Sequence, residues 1–295
     1  MALFSPDQYE LLDFGSGRKL ERFGDFVLDR PAPAADDFRQ HEPPLWDTAD
    51  ARYDRTNGQR GRWTHRVALP EAWTTRYQHT EFTIKLTPFG HVGLFAEQQR
   101  NWQWIDEQCR QFSTPCRILN LFAYTGGSTL AAATAGAEVV HIDSAQNVVH
   151  WARRNAENSG LATAPIRWIA EDAVKFVERE IRRGNHYQGV ILDPPSYGHG
   201  PKGEPWKISE HLPHLLNACR QVLAEDDHFL LLTSHSPQHA GTSLQPLLAT
   251  TFPDSTPQSL RTHRLQITDR AGRHLPSGTG ISYRHRRQTS GSAAH

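Results

Sequence analysis

From residue 117 onward the chain repeats one pattern: a short run of branched apolar residues, then an amphipathic stretch of helical length. RILNLF (117–122), EVVHID (138–143), IRWIAED (166–172), YQGVILD (187–193) and HFLLLTSHS (228–236) read as strands. STLAAATAGA (128–137), AQNVVHWARRNAENSG (145–160), AVKFVEREIRRG (173–184), ISEHLPHLLNACRQVLAE (208–225) and SLQPLLATTF (243–252) read as helices, several of them stopped by glycine. Strands joined by helices imply a mostly parallel sheet covered on both faces, because a parallel pair needs a long crossover. HRLQIT (263–268) and GISYRHR (280–286) would close it as an antiparallel ribbon.

The segment before this region has another texture. YELLDFG, FVLDR, RWTHRVAL, FTIKL and HVGLF are short, aromatic and β-branched, with Gly and Pro between them. The organisation expected is a β-rich N-terminal domain over 1–95, an α/β domain over 96–288 and a loose tail over 289–295. The Pro- and acid-rich stretch 31–44 reads as a connector or surface arm, and 96–112 as a helix with Trp102, Ile105 and Cys109 on one face. No internal repeat is found.

Composition narrows the class. The chain has 295 residues, Lys+Arg 32 and Asp+Glu 32, so its formal net charge is zero. Hydrophobic residues make up only 37%, yet 8 Trp and 13 Phe argue against disorder. No apolar run is long enough to span a membrane, and the opening MALFSPDQYELLD lacks the basic and apolar regions of a secretory signal. Cys109, Cys116 and Cys219 are too few and too scattered for a disulfide framework or a zinc site, so no metal is expected and a reducing, cytoplasmic setting is the simplest reading. Arginines cluster at 51–66 and 259–289, either as an anion-binding face or as a solvated surface.

Ligands of open α/β sheets lie at the carboxyl ends of the strands, so the residues just past each strand carry the most information. The first is followed by Phe122-Ala123-Tyr124-Thr125-Gly126-Gly127, a turn whose glycines permit close backbone approach before a helix N-terminus. It is neither GxGxxG nor a phosphate-binding P-loop. The second ends at Asp143-Ser144, an acid placed to accept bonds from ribose hydroxyls or to cap the next helix. The third ends at Glu171-Asp172-Ala173, where Asp172 faces an adenine amine or caps its own helix. The fourth ends in Asp193-Pro194-Pro195-Ser196-Tyr197-Gly198, a rigid turn offering a carboxylate and an aromatic platform.

NLFAYTGGST (120–129), HID (141–143), EDA (171–173) and DPPSYG (193–198), in this order, resemble a class I S-adenosylmethionine-dependent methyltransferase. PFGHVGLFAEQQRNWQWI (88–105) and YELLDFGSGRKLERFGDFVLDRP (9–31) narrow the likeness to the bacterial large-subunit ribosomal RNA cytosine-5 methyltransferase-like group. The resemblance implies a Rossmann-like seven-stranded sheet with S-adenosylmethionine across the tips of its first four strands. Phe122, Ala123, Tyr124, Thr125, Gly126 and Gly127 would hold the methionine end, Asp143 and Ser144 the ribose, and Asp172 and Ala173 the adenine. Gln98 and Asn101 would reach the cofactor from above or be plain helix surface. Asp193, Pro194 and Ser196 would face the transferred methyl.

One part of that group's pattern is missing. Cytosine-5 chemistry needs a nucleophilic thiol after the fifth strand, and this chain has Thr233-Ser234-His235-Ser236 there. Direct transfer to a nitrogen or oxygen is therefore expected, with Asp193 and the Pro194 carbonyl orienting the acceptor, Tyr197 stacking on its base and His235 as general base. GHGPKG (198–203) reads as a lid carrying His199, with Lys202 and Lys207 near a phosphate, and Trp206 as a second stacking platform. RNA is the expected substrate. The alternatives are a small-molecule or protein methyltransferase, a non-catalytic RNA-binding protein on the same fold, and a dinucleotide oxidoreductase.

Overall fold

The computed structural model describes residues 4–56, 60–200, 203–235 and 241–287. The expected tail over 289–295 lies outside them. β1 (Tyr9–Gly15), β2 (Arg18–Phe23), β3 (Phe26–Pro31), β4 (Ala51–Arg55) and β5 (Gly61–His65) form a five-stranded sheet in that order. Its pairs are antiparallel except β3–β4, the one pair separated by a long connection. β6 (Trp73–Tyr77) and β7 (Thr80–Ile84) make a separate hairpin. A 3₁₀ turn at Ala96–Gln98 leads into α1 (Gln99–Cys109), somewhat shorter than the helix expected over 96–112.

The alternating region folds as its pattern requires. β8 (Arg117–Leu121), α2 (Gly127–Thr134), β9 (Glu138–Asp143), α3 (Gln146–Asn158), β10 (Ile166–Ala170), α4 (Ala173–Arg183) and β11 (Gly189–Leu192) follow in turn. The small hairpin β12 (Tyr197–His199) and β13 (Pro205–Lys207) precedes α5 (Ile208–Val222), β14 (His228–Ser234) and α6 (Gly241–Thr251). β15 (Leu260–Thr268) and β16 (His274–His285) form the expected antiparallel ribbon. The seven-stranded sheet has the order β10-β9-β8-β11-β14-β16-β15, and only β16 opposes its neighbours. Chain order reverses between β8 and β11, and there a crevice opens at the strand tips.

Alternation along each central strand feeds two apolar layers. Leu119, Leu121, Val190, Leu192, Leu230 and Leu232 face the layer that also holds Phe176, Leu212, Leu216 and Leu248 from the helices. Ile118, Ile191, Phe229 and Leu231 face the layer that holds Ile105, Ala132 and Ala133. A third cluster joins Phe14, Phe23 and Leu28 to Trp102, Leu130, Ile267 and Leu275, so apolar packing runs across position 95.

Polar ties fix the same junction. Asn155, fully buried on α3, accepts from the Thr83 backbone N–H at 2.9 Å and donates to the Thr125 carbonyl at 3.0 Å, linking the β6–β7 hairpin to the glycine turn. Asp13, 1% exposed, accepts from the backbone N–H of Glu42 at 3.0 Å, from Trp46 Nε1 at 2.8 Å and from Arg273 Nη2 at 2.5 Å. The segment expected as a connector or surface arm is thus pinned at its far end to β1 and, through Arg273, to the β15–β16 turn. Burial disfavours the ionised Asp13, but Trp46, the Glu42 and His41 amides and Arg273 outweigh it and hold its pKa below the usual value.

Asp13→Ala should therefore destabilise the chain by about 3 kcal/mol in a denaturant titration at neutral pH. A carboxyl with a depressed folded pKa adds stability above its unfolded pKa, about 4, and loses it as pH falls through the lower folded value. The wild-type and variant curves should converge in that acid range.

Candidate active site

The turn after β8 holds a strained backbone. Phe122 (φ 55°) and Tyr124 (φ 48°) both occupy the left-handed region, which costs a non-glycine residue about 1 kcal/mol or more each. The surroundings over-determine the turn. The Ala123 N–H donates to the Ile142 carbonyl at 3.0 Å, the Tyr124 N–H to Asp143 Oδ2 at 2.9 Å and Thr125 Oγ1 to the Gly93 carbonyl at 2.7 Å. The two glycines have different reasons to be there. Gly126 takes φ 93°, whereas a Cβ on Gly127 would sit 2.6 Å from the Trp102 ring. The space beside Gly127 thus belongs to an indole of α1.

Acids stand at the next two tips. Asp143 is half-buried, with Oδ2 on the Tyr124 N–H and Oδ1 on the Ala145 N–H at 3.0 Å. Burial raises its pKa, and these backbone donors work against the rise. With the Ser144 N–H also directed at the carboxylate, three backbone donors hold it, and its four lone-pair sites still leave room for a ligand hydroxyl. Asp172 caps α4 through Oδ1 to the Lys175 N–H at 3.0 Å, so the capping reading holds for one oxygen. Glu171 is held in a two-pronged bond by Arg179 at 2.5 and 2.6 Å. Asp143, Ser144, Glu171, Asp172 and Ala173 line one wall of a cleft of about 860 Å³. Pro195, Ser196, Tyr197 and His235 line the same cleft, as do Phe122 and Trp206. A smaller recess beside it is bounded by Gln98, Ala123, Tyr124, Thr125 and Asp193.

Asp193 is the hub of a hydrogen-bonded chain. Its Oδ2 accepts from Gln98 Nε2 at 3.0 Å, and its Oδ1 accepts from Thr233 Oγ1 and faces His235 Nε2 at 3.3 Å. Gln98 Oε1 accepts from Asn101 Nδ2 at 2.6 Å, and Asn101 Oδ1 accepts from His263 Nε2 at 2.7 Å. At the other end His235 Nδ1 donates to the Ser277 carbonyl at 2.7 Å, and Glu97 lies 3.8 Å from the same nitrogen. Burial raises the Asp193 pKa, but His235, Thr233 and Gln98 together bring it below the ordinary value. Burial lowers that of His235, but Asp193, Glu97 and the Ser277 carbonyl overcome it and raise it to about 10. These neighbours favour the ring form in which both nitrogens carry protons.

Several expectations change in consequence. His235 stands at the tip of β14 as expected, and its acidic neighbours Asp193 and Glu97 favour the protonated ring, which weighs against the general-base role. Asn101 is buried between Gln98 and His263 and borders neither cavity, so it orients Gln98 rather than reaching a ligand. Trp206 is 6% exposed and donates to the Pro195 carbonyl at 2.7 Å, which makes it a prop beneath the Asp-Pro-Pro turn instead of an open platform. Tyr197 is 46% exposed. Lys207 pairs with Glu210 at 2.9 Å, while Lys202, Ser236 and the side chain of His199 lie outside the described residues. The arginine stretches are partly neutralised: Arg52, Arg66, Arg270, Arg273 and Arg287 have carboxylate partners. Glu97 escaped sequence reasoning although it adjoins Gln98, and Thr233 entered it only as part of the stretch that lacks a thiol. The Ser277 carbonyl left no signal at all.

Comparison with known proteins gives the same architecture a relationship. Residues 51–228 match the family model described as S-adenosylmethionine-dependent methyltransferase. A methyltransferase of that type from Agrobacterium tumefaciens is 36% identical, with a TM-score of 0.87 over 95% of this chain and 90% of that one. A putative methyltransferase solved with S-adenosylhomocysteine has a TM-score of 0.76, over 95% of this chain and 76% of that one, but is only 16% identical, which speaks to fold alone. Ribosomal RNA large subunit methyltransferase I of Aeromonas hydrophila is 34% identical over 133 residues, 44% of this chain and 30% of that protein. A putative ribosomal RNA large subunit methyltransferase of Methanocaldococcus jannaschii is 29% identical over 60% of this chain and 46% of its own length. The chain thus spans less than half the length of these two curated relatives.

The His235–Asp193 pair has a measurable signature. The His235 ring should stay protonated through neutral pH by NMR and titrate near 10, well above the ordinary 6.5. A raised folded pKa adds stability that is complete below the unfolded pKa and is lost as pH rises through about 10. Asp193→Asn should bring the titration back towards or below the ordinary value, because burial then acts with less opposition.

Proposed function

The chain belongs to the S-adenosylmethionine-dependent methyltransferase family, and from that premise we propose that it methylates RNA by direct transfer, without a covalent cysteine intermediate. The cofactor supplies an electrophilic methyl group on a sulfonium, so the acceptor needs chiefly alignment and exclusion of water. The cleft fits such a group: its volume suits a nucleoside-sized ligand, and acids at successive tips retain free lone pairs. In this reading Asp143 accepts from the ribose hydroxyls with Ser144 beside it. The outer oxygen of Asp172, with Ala173, meets the adenine. Phe122, Ala123, Tyr124, Thr125 and Gly127 line the recess for the methionine end, Gly126 turns the backbone between them, and Gln98 contributes its amide.

The observation that carries direct transfer is the position of the thiols. Cys109 and Cys116 are buried at the end of the sheet away from the cleft, and Cys219 is fully buried in α5. Burial raises the Cys219 pKa, which further disfavours a thiolate there. The attacking lone pair must then belong to the substrate. Asp193 and the Pro194 carbonyl would accept from an acceptor amine and fix its direction. Ser196 and Tyr197 would bound its plane. The positive charge on His235 keeps Asp193 ionised and anchored. RNA as substrate rests on the names of the curated relatives and on the exposed aromatic at the cleft. An RNA substrate together with three unpaired thiols favours the cytoplasm as working compartment.

Asp143→Ala should weaken S-adenosylmethionine binding by about 10- to 100-fold in isothermal titration, as for the loss of hydrogen bonds to a charged group. Unchanged affinity would remove Asp143 from the ribose. Asp193→Ala should leave cofactor affinity within a few fold and abolish turnover, whereas equal losses would move Asp193 into the cofactor's own shell. Incubation with tritiated cofactor and separate pools of total RNA, protein and metabolites tests the substrate, and label confined to protein or metabolites refutes RNA.

A further inference from the structure

Three large hydrophobic side chains are exposed among the described residues, Val67, Phe89 and Tyr197. Phe89 and Tyr197 line the same cleft, Phe89 from the N-terminal part of the chain and Tyr197 from the Asp-Pro-Pro turn. Phe89, 46% exposed, is held outward by a well-fastened turn. The Gly90 N–H donates to the Thr87 carbonyl at 3.1 Å, and Thr87 Oγ1 to the His91 carbonyl at 2.7 Å. From beneath, Tyr53 Oη reaches the Pro88 carbonyl at 2.8 Å and Trp63 Nε1 the Thr87 carbonyl at 2.8 Å, while Arg30 Nη1 holds the Gly90 carbonyl at 3.0 Å. Gly90 adopts φ 78°, and a Cβ there would sit 2.6 Å from the Tyr53 ring. The backbone is fixed and the phenyl ring is left partly exposed.

Charge next to it is equally selective. Arg52 is occupied by Asp29 and Asp54, and Arg66 by Asp50. Arg55, on the cleft wall, has no carboxylate partner among the described residues. Arg60 also has none among them, and its guanidinium lies 5.8 Å from the centre of the Phe89 ring. A rigid aromatic ring with one guanidinium over it and a second on the same cleft wall, neither paired with a carboxylate among the described residues, suits a planar base whose neighbours carry phosphates.

We propose that Phe89, Arg55 and Arg60 form a docking ledge for single-stranded RNA, Phe89 stacking on an unpaired base and the two arginines pairing with adjacent phosphates. The ledge places the strand along the mouth of the cleft, across from Tyr197. The β-rich N-terminal part thereby helps select the substrate as well as stabilising the fold. This inference rests on the RNA reading of the same site.

The test uses full-length protein saturated with S-adenosylhomocysteine and fluorescein-labelled oligoadenylate, oligocytidylate and oligouridylate, followed by anisotropy. Phe89→Ala should weaken binding about tenfold and Phe89→Tyr should restore it, since either aromatic ring can stack. The double variant Arg55→Gln/Arg60→Gln should reduce the slope of log affinity against log salt by about 0.7 for each phosphate that no longer meets a guanidinium. Cofactor affinity, measured on the same preparations, separates loss of the ledge from damage to the cleft. A Phe89→Ala protein that loses RNA and cofactor binding in parallel, or one that binds RNA as the wild type does, overturns the ledge alone. Wild-type protein that binds none of the three oligonucleotides, and labels protein or metabolites instead of RNA, overturns the RNA reading and the ledge with it.

Discussion

The carboxylate of Asp193 sets the terms for the site around it. It ends the strand at the point where sheet order reverses, and four polar groups determine its charge and direction: Gln98, Thr233, His235 and, through His235, the Ser277 carbonyl. They come from three distant parts of the chain, with Thr233 and His235 sharing the end of β14. An ionised group partly withdrawn from water is stable there only when its lone pairs are met. The hub therefore makes the 3₁₀ turn before α1, β14 and β16 mutually dependent. His263 extends the dependence to β15 through Asn101.

The turn after β8 shows the same logic in the backbone. Two non-glycine residues in the left-handed region are tolerable because a main-chain bond to β9, the Asp143 carboxylate and the Gly93 carbonyl all fix the turn. Asp143 thus has a structural duty before any ligand arrives. Its backbone partners hold the carboxylate in place at the cleft wall.

Zero net charge conceals an uneven distribution. Many arginines of the N-terminal part and of the β15–β16 turn are consumed in tying the N-terminal sheet together or in joining it to that turn, as Arg18, Arg30 and Arg273 illustrate. What remains uncommitted near the cleft is a small subset, Arg55 and Arg60, beside an exposed ring. Counting charges along the chain cannot separate these groups, because pairing depends on which strands become neighbours.

The sequence by itself determined the architecture and pointed to the strand tips where the candidate cleft lies. The strand–helix alternation, the closing ribbon and the turns at 122–127, 143–144, 171–173 and 193–198 are local patterns, and the periodicity of apolar residues is enough to read them. The missing thiol after the fifth strand of the α/β region was legible for the same reason: identity at one position needs no fold. Tertiary structure alone decided what each polar side chain does. That Asn101 is wedged between Gln98 and His263, that Gly127 makes room for Trp102, that Trp206 props a proline turn and that two carboxylates favour a protonated His235 follow from contacts between residues distant in the chain. Burial and hydrogen-bond partners set protonation and direction, and those properties belong to the packed molecule rather than to any stretch of the chain.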